Sequence, residues 1–137
     1  PKWAIAASTQ TLAIEAAIFD IRATLIEPGA IATPIRDKTG APDRASPYRR
    51  VAKNWGFSVG YDHARARGPE EVADVIAAAI ADPESPLRIT VGSGIDELIA
   101  LRERHDDRQW IDLWSSDTSD FLAQHEKLTG IDLTETL

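Results

Sequence analysis

Glu27-Pro28-Gly29-Ala30-Ile31-Ala32-Thr33-Pro34-Ile35 is the stretch on which the reading of the fold turns. Just before it, Ile21-Arg22-Ala23-Thr24-Leu25-Ile26 has the β-branched content and short length of a strand. The Pro-Gly pair reads as its end, because proline has no N–H with which to continue a ladder. Further back, residues 2–19 are apolar on nearly every side, with Trp3, Ile5, Leu12, Ile14, Ile18 and Phe19 spaced among alanines. A helix of that kind expects burial on more than one side. The chain therefore opens as a helix feeding a strand.

Beyond Ile35 the pattern loosens. Residues 36–68 hold Gly40, Pro42, Pro47, Gly56 and Gly60 among mixed charges, which predicts a long excursion with one short helix around Tyr48 to Trp55. Gly68-Pro69-Glu70-Glu71 then opens an amphipathic helix to about Ala81, with proline in its first turn and acids facing the positive end of the helix dipole. Pro83 and Pro86 stop it, and Leu87 to Val91 reads as a second strand. Strand, crossover helix and strand make a βαβ unit, whose strands should be parallel and whose crossover should be right-handed. After Gly92-Ser93-Gly94 a charged helix is predicted from Ile95 to about Trp114, with Trp110 and Trp114 one turn apart as an anchor in a core or subunit contact. The run Arg102 to Arg108 reads as its solvated face, laced by pairs four residues apart. Residues 115–137 form a polar tail with one further short helix before Thr129-Gly130. Neither repeat nor linker divides the chain, so residues 1–137 are expected to form a single domain.

Lys2 stands 26 residues ahead of Pro28, is followed by an aromatic, Trp3, and leads through helix and strand to Pro28-Gly29 and Thr33. This block resembles the short-chain dehydrogenase/reductase family, in which a Tyr-x-x-x-Lys motif opens a helix, a strand follows, and a Pro-Gly-x-x-x-Thr turn folds over the nicotinamide end of the cofactor. The βαβ portion, Leu87-Arg88-Ile89-Thr90-Val91-Gly92 and the tryptophan-bearing tail are similar to the end of the family's longer members. The resemblance implies an α/β fold, a partial Rossmann-like order of helix, strand, long loop, helix, strand, helix with parallel strands. It also implies NAD or NADP as cofactor. Lys2 would bind the ribose hydroxyls and lower the pKa of the motif tyrosine. Pro28, Gly29, Ile31 and Thr33 would bracket the nicotinamide and pyrophosphate, and residues 36–68 would be the substrate-binding segment. The tyrosine, the catalytic serine and the glycine-rich dinucleotide turn would lie before residue 1, so that this chain corresponds to the carboxyl-terminal half of such an enzyme. Tyr48 stands five residues before Lys53, where the motif needs four, and Tyr61 stands four before an arginine, Arg65, so neither replaces the tyrosine. The turn Gly92-Ser93-Gly94 has Glu97 where a third glycine would stand and Asp96 beside it, which argues against a phosphate there.

Composition narrows the alternatives. A net charge of −7 repels a phosphate backbone, so nucleic acid is not an expected partner. No run reaches the ~18 apolar residues of a membrane span, and a cytoplasmic location is expected. The absence of cysteine excludes disulfides, thiolate zinc sites and thiol nucleophiles. His63, His105 and His125, each beside Asp or Glu, supply the nitrogen and oxygen donors for an alternative: a metal-dependent hydrolase, with zinc activating water against an ester or phosphoester. A non-catalytic assembly module is the other alternative. Two parallel strands and an all-apolar helix leave a ladder and a hydrophobic surface to be covered. A homodimer or higher assembly, or a complementing amino-terminal half, is therefore expected.

Overall fold

The computed structural model describes residues 2–35, 38, 43 and 45–135. Within them the order is α1 (Lys2–Ala17), β1 (Leu25–Pro28), α2 (Arg49–Ala64), α3 (Pro69–Ala81), β2 (Arg88–Val91), α4 (Ile95–Glu103), α5 (Asp107–Ser115) and α6 (Thr118–Thr129). The fold is mixed α/β, consistent with a partial Rossmann-like arrangement, and β1 and β2 form a two-stranded parallel sheet. Gly40 and Pro42, two of the residues on which the long-loop reading rested, lie outside the described residues.

The strand register is Leu25 with Arg88, Ile26 with Ile89, Glu27 with Thr90 and Pro28 with Val91. Leu25 N donates to Leu87 O at 2.7 Å and Gly29 N to Val91 O at 2.8 Å. Odd-numbered residues of β1 thus face β2 with their amides, and the nitrogen of Pro28 points to the open side, where its missing N–H costs no ladder bond. The pairing therefore runs through the proline that was expected to end it. It also begins at Leu25, not Ile21. Residues 21–24 are spent on the connection: Asp20 takes a left-handed φ of 59°, and Arg22 reaches the end of α3. There its guanidinium donates to Asp82 O at 2.8 Å and to Ala79 O and Ile80 O at 3.4 Å, satisfying carbonyls left over at the helix terminus.

The excursion contains far more helix than its glycines suggest. α2 runs sixteen residues, to Ala64, straight through Gly56 and Gly60. Each glycine costs a helix roughly 1 kcal/mol relative to alanine, so tertiary packing has to hold it. Asn54 and Ser58, one turn apart, are the buried contacts. The Asn54 amide donates to Trp114 O at 3.3 Å and Ser116 O at 2.9 Å, capping the end of α5 from inside the core.

The single long helix expected from Ile95 to Trp114 is two helices. Asp106 caps α5 with a full capping box: its carboxylate accepts from Gln109 N at 2.8 Å while the Gln109 side chain accepts from Asp106 N at 3.0 Å. The charged run Arg102 to Arg108 accordingly spans a break and is not one solvated face. Arg102 donates to His105 O at 2.7 Å and pairs with Asp107 across the break. Among the described residues, Arg108 and Asp112, 3.1 Å apart, form the expected pair at four-residue spacing.

Leu101, Leu113, Trp114, Phe121 and Leu133 make the core, packed by α2 and α4–α6. Trp114 is its hub, with ring centroids 5.1 Å from Trp55, 5.4 Å from Trp110 and 5.2 Å from Phe121. The tryptophan pair is the core anchor its spacing suggested. On the sheet side, α1 buries Ala6 while its Trp3, and Ile18 just past its end, stay 73% and 79% exposed.

Candidate functional site

In open α/β sheets ligands sit at the carboxyl ends of the strands. Here both strands run into glycine-bearing turns that pack on one another. Ala30 N donates to Ser93 O at 2.8 Å, forming an antiparallel bridge with the turn after β2. Ala32 N donates to Arg67 O at 2.8 Å and Arg67 N to Ala30 O at 3.2 Å, tying the same segment to the connection between α2 and α3. The Ser93 hydroxyl in turn donates to Arg65 O. The segment after Pro28 is therefore held from two sides.

Small residues are required at this junction. A β-carbon on Gly29 would overlap the Ser93 carbonyl and stand 3.1 Å from Ile95 Cβ, so the close approach that this glycine permits is made to the β2 turn. Gly92, at φ 92°, lies under Ile31, whose Cδ1 would be 2.7 Å from an added β-carbon. Backbone bonding alternates along the segment. Ala30 and Ala32 spend their amides internally, whereas Ile31 and Thr33 make no backbone hydrogen bond to another described residue. Extended backbone with alternate groups unspent presents donors and acceptors to one side, where an amide or phosphate could take them. Pro28 and Thr33 are exposed, and Gly29 and Ile31 are half-buried. The residue set named from the sequence thus lies on one turn, exposed or half-buried.

Lys2, by contrast, sits in the exposed first turn of α1 and makes no ion pair among the described residues. Glu27 is half-buried and 3.8 Å from Arg88 on the neighbouring strand, a structural use of its carboxylate.

The three histidines are not brought together, and among the described residues no group of three or more His, Cys, Asp or Glu could hold a metal ion. His63 ends α2, and His105 Nδ1 lies 2.6 Å from Leu101 O. His125 is buried, its ring 5.7 Å from Phe121 and its Nδ1 3.2 Å from the Thr129 hydroxyl. Burial disfavours its cation and holds its pKa below the usual 6.5. The metal-dependent hydrolase alternative is left with no ligand set.

Asp62, which the sequence offered only as an oxygen donor beside His63, has a place that spacing did not reveal. It occupies the last turn of α2, half-buried, with its carboxyl against the α-carbon of Gly94 at the start of α4. Burial, and secondarily the negative charge of Glu97, push its pKa from 3.8 to about 6, against a smaller opposing pull from Arg65. A helix through residues 49–64 had to be recognised before Asp62 could be placed beside the turn.

No family model matches the chain. Among curated proteins it is similar to two uncharacterised oxidoreductases of Schizosaccharomyces pombe, each 28% identical over 130 residues, covering 95% of this chain and 50% of the relative. An oxidoreductase of Botryotinia fuckeliana is 30% identical over 96 residues, covering 66% of this chain and 34% of the relative. The chain is thus related to oxidoreductases. It spans about half the length of the Schizosaccharomyces pombe relatives. No helix among the described residues is long and apolar enough to cross a membrane.

Proposed function

We propose that these 137 residues are the carboxyl-terminal portion of an NAD(P)-dependent short-chain dehydrogenase/reductase, supplying the nicotinamide-facing turn and the substrate-binding excursion of a site completed by other residues. The observation that carries this reading is the turn from Pro28 to Thr33. It lies at the carboxyl edge of a parallel pair, with the backbone groups of Ile31 and Thr33 unspent among the described residues. The relatives' length supports a site only half contained here.

In this reading Ile31 and Thr33 hold the carboxamide end of NAD or NADP through backbone groups and the Thr33 hydroxyl. Gly29 and Gly92 keep the turn flat against β2 so that this edge stays open. When bound, the cofactor supplies a hydride donor or acceptor. Lys2 contributes a positive charge that favours the ionised form of a tyrosine brought by the rest of the site, and α2 covers the substrate. The apolar surface of α1 and the unpaired outer edges of the sheet are closed by association, either with a second copy of this chain or with the complementing half.

Co-expression with the half of a Schizosaccharomyces pombe relative that this chain does not align to, followed by titration with NADH and NADPH, tests the proposal. Binding in the complex that is weakened at least about tenfold by Thr33→Ala and Ile31→Pro supports it. A complex that forms and binds neither nucleotide refutes it and leaves the assembly-module reading standing.

A further inference from the structure

The last turn of α2 meets the turn after β2 where Asp62 lies against Gly94. Gly94 has a φ of 80° and no β-carbon, and an added one would overlap the carboxyl, so the acid lies directly on the main chain. We propose that Asp62 is a proton-sensitive latch, fastening the carboxyl-terminal end of α2 to the Gly92-Ser93-Gly94 turn when its carboxyl is neutral and releasing it when the carboxyl ionises.

The groups around it favour this behaviour. From α4 it faces Glu97, an acid of the same sign, with Asp96 beside it in the same first turn. Those two acids already meet the positive end of the α4 dipole, which leaves a third carboxylate little to gain there. From its own helix end it faces Arg65, but that guanidinium is engaged elsewhere: it lies 3.7 Å over the Tyr61 ring and 3.7 Å from the Glu135 carboxylate of the tail. Among the described residues Asp62 makes no ion pair to offset its burial. Its raised pKa, at about 6, agrees with that packing.

What the latch fastens follows from the hydrogen bonds downstream. Arg65 O accepts from the Ser93 hydroxyl, and Arg67 exchanges two backbone hydrogen bonds with Ala30 and Ala32. Freeing Asp62 loosens the segment that steadies the turn after Pro28 from one side. The inference stands on this packing and needs no cofactor.

Backbone amide exchange in the intact chain, corrected for intrinsic rates, tests it between pH 5 and pH 8. Protection of the amides of residues 65–67 should fall about tenfold with a midpoint near 6, the ~100-fold of a two-unit shift being reduced because the group is half-exposed. In Asp62→Asn protection should stay high and level across the range, and in Glu97→Gln the midpoint should move to lower pH. A level profile in the parent chain overturns the latch, and so does an undiminished slope in Asp62→Asn. Should a variant fail to fold, the parent profile decides alone.

Discussion

The molecule has two regions built to different standards. Around Trp114, three helices interlock through aromatic rings, Phe121 is 0% and Leu101 2% exposed, and a buried amide closes the end of α5. Around the sheet, the two strands among the described residues pair with each other. α1 leaves Trp3, Leu12 and Ile14 in the open, Ile18 just past its end is exposed too, and α3 turns Ile80 outward at 73% exposure. The first region is a finished core. The second leaves large apolar side chains exposed, and it is the second that carries the turn from Pro28 to Thr33. An apolar surface of this kind is what a covering layer would bury, and in the proposed reading association supplies that layer.

Truncation by substitution should separate the regions most sharply at Phe121→Ala. Emptying this fully buried site is expected to cost about 3–5 kcal/mol in chemical denaturation. A cost below about 1 kcal/mol would deny the helical region its role as the stable core. Asn54→Ala comes next. It leaves the carbonyls of Trp114 and Ser116 without their donor, an expected loss of about 1–3 kcal/mol by the same measurement. Asp106→Ala removes the capping box of α5 and should cost about 1 kcal/mol, with helix content by circular dichroism little changed. In the other region, Ile14→Ser should shift folding stability by no more than about 0.5 kcal/mol in the dissociated chain, because the residue is exposed there. The same change should lower the tendency to associate.

Acidity sets the regions apart by sign. His125 has its pKa depressed on folding, so its contribution is present above 6.5 and is lost as pH falls below that value and the unfolded chain takes up the proton first. Asp62, whose pKa is raised on folding, contributes stability that is complete below 3.8 and lost as pH rises through about 6. Denaturation midpoints measured across pH 4 to 8 should therefore gain at low pH on His125→Phe and gain at neutral pH on Asp62→Asn. The opposite signs would show that the two environments have been misread.

Much of this was visible in the order of residues. The alternation of apolar strand, proline-punctuated helix and second strand announced the parallel pair, and Pro28-Gly29 marked the turn. Gly130 marked the end of α6, where it adopts a φ of 72°. What was missed depended on contacts distant in sequence. Gly56 and Gly60 look like breakers, and only the burial of Asn54 and Ser58 against α5 and α6 explains a helix through them. The break at Asp106 was written in the sequence as Asp followed three residues later by Gln, but the charge periodicity on either side of it concealed the cap. Pro28 can remain in the ladder because of the direction its nitrogen faces, which spacing cannot convey. Asp62 gained its importance from Gly94, thirty-two positions away.

The mass of the isolated 137-residue chain in solution at micromolar concentration, by sedimentation equilibrium, bears most directly on the claim that the sheet region is a core awaiting its cover. The account predicts two or more chains per particle, with the equilibrium driven toward one by Ile14→Ser and Ile18→Ser together. A monodisperse, cooperatively folding single chain under those conditions, unaffected by the two substitutions, would contradict it.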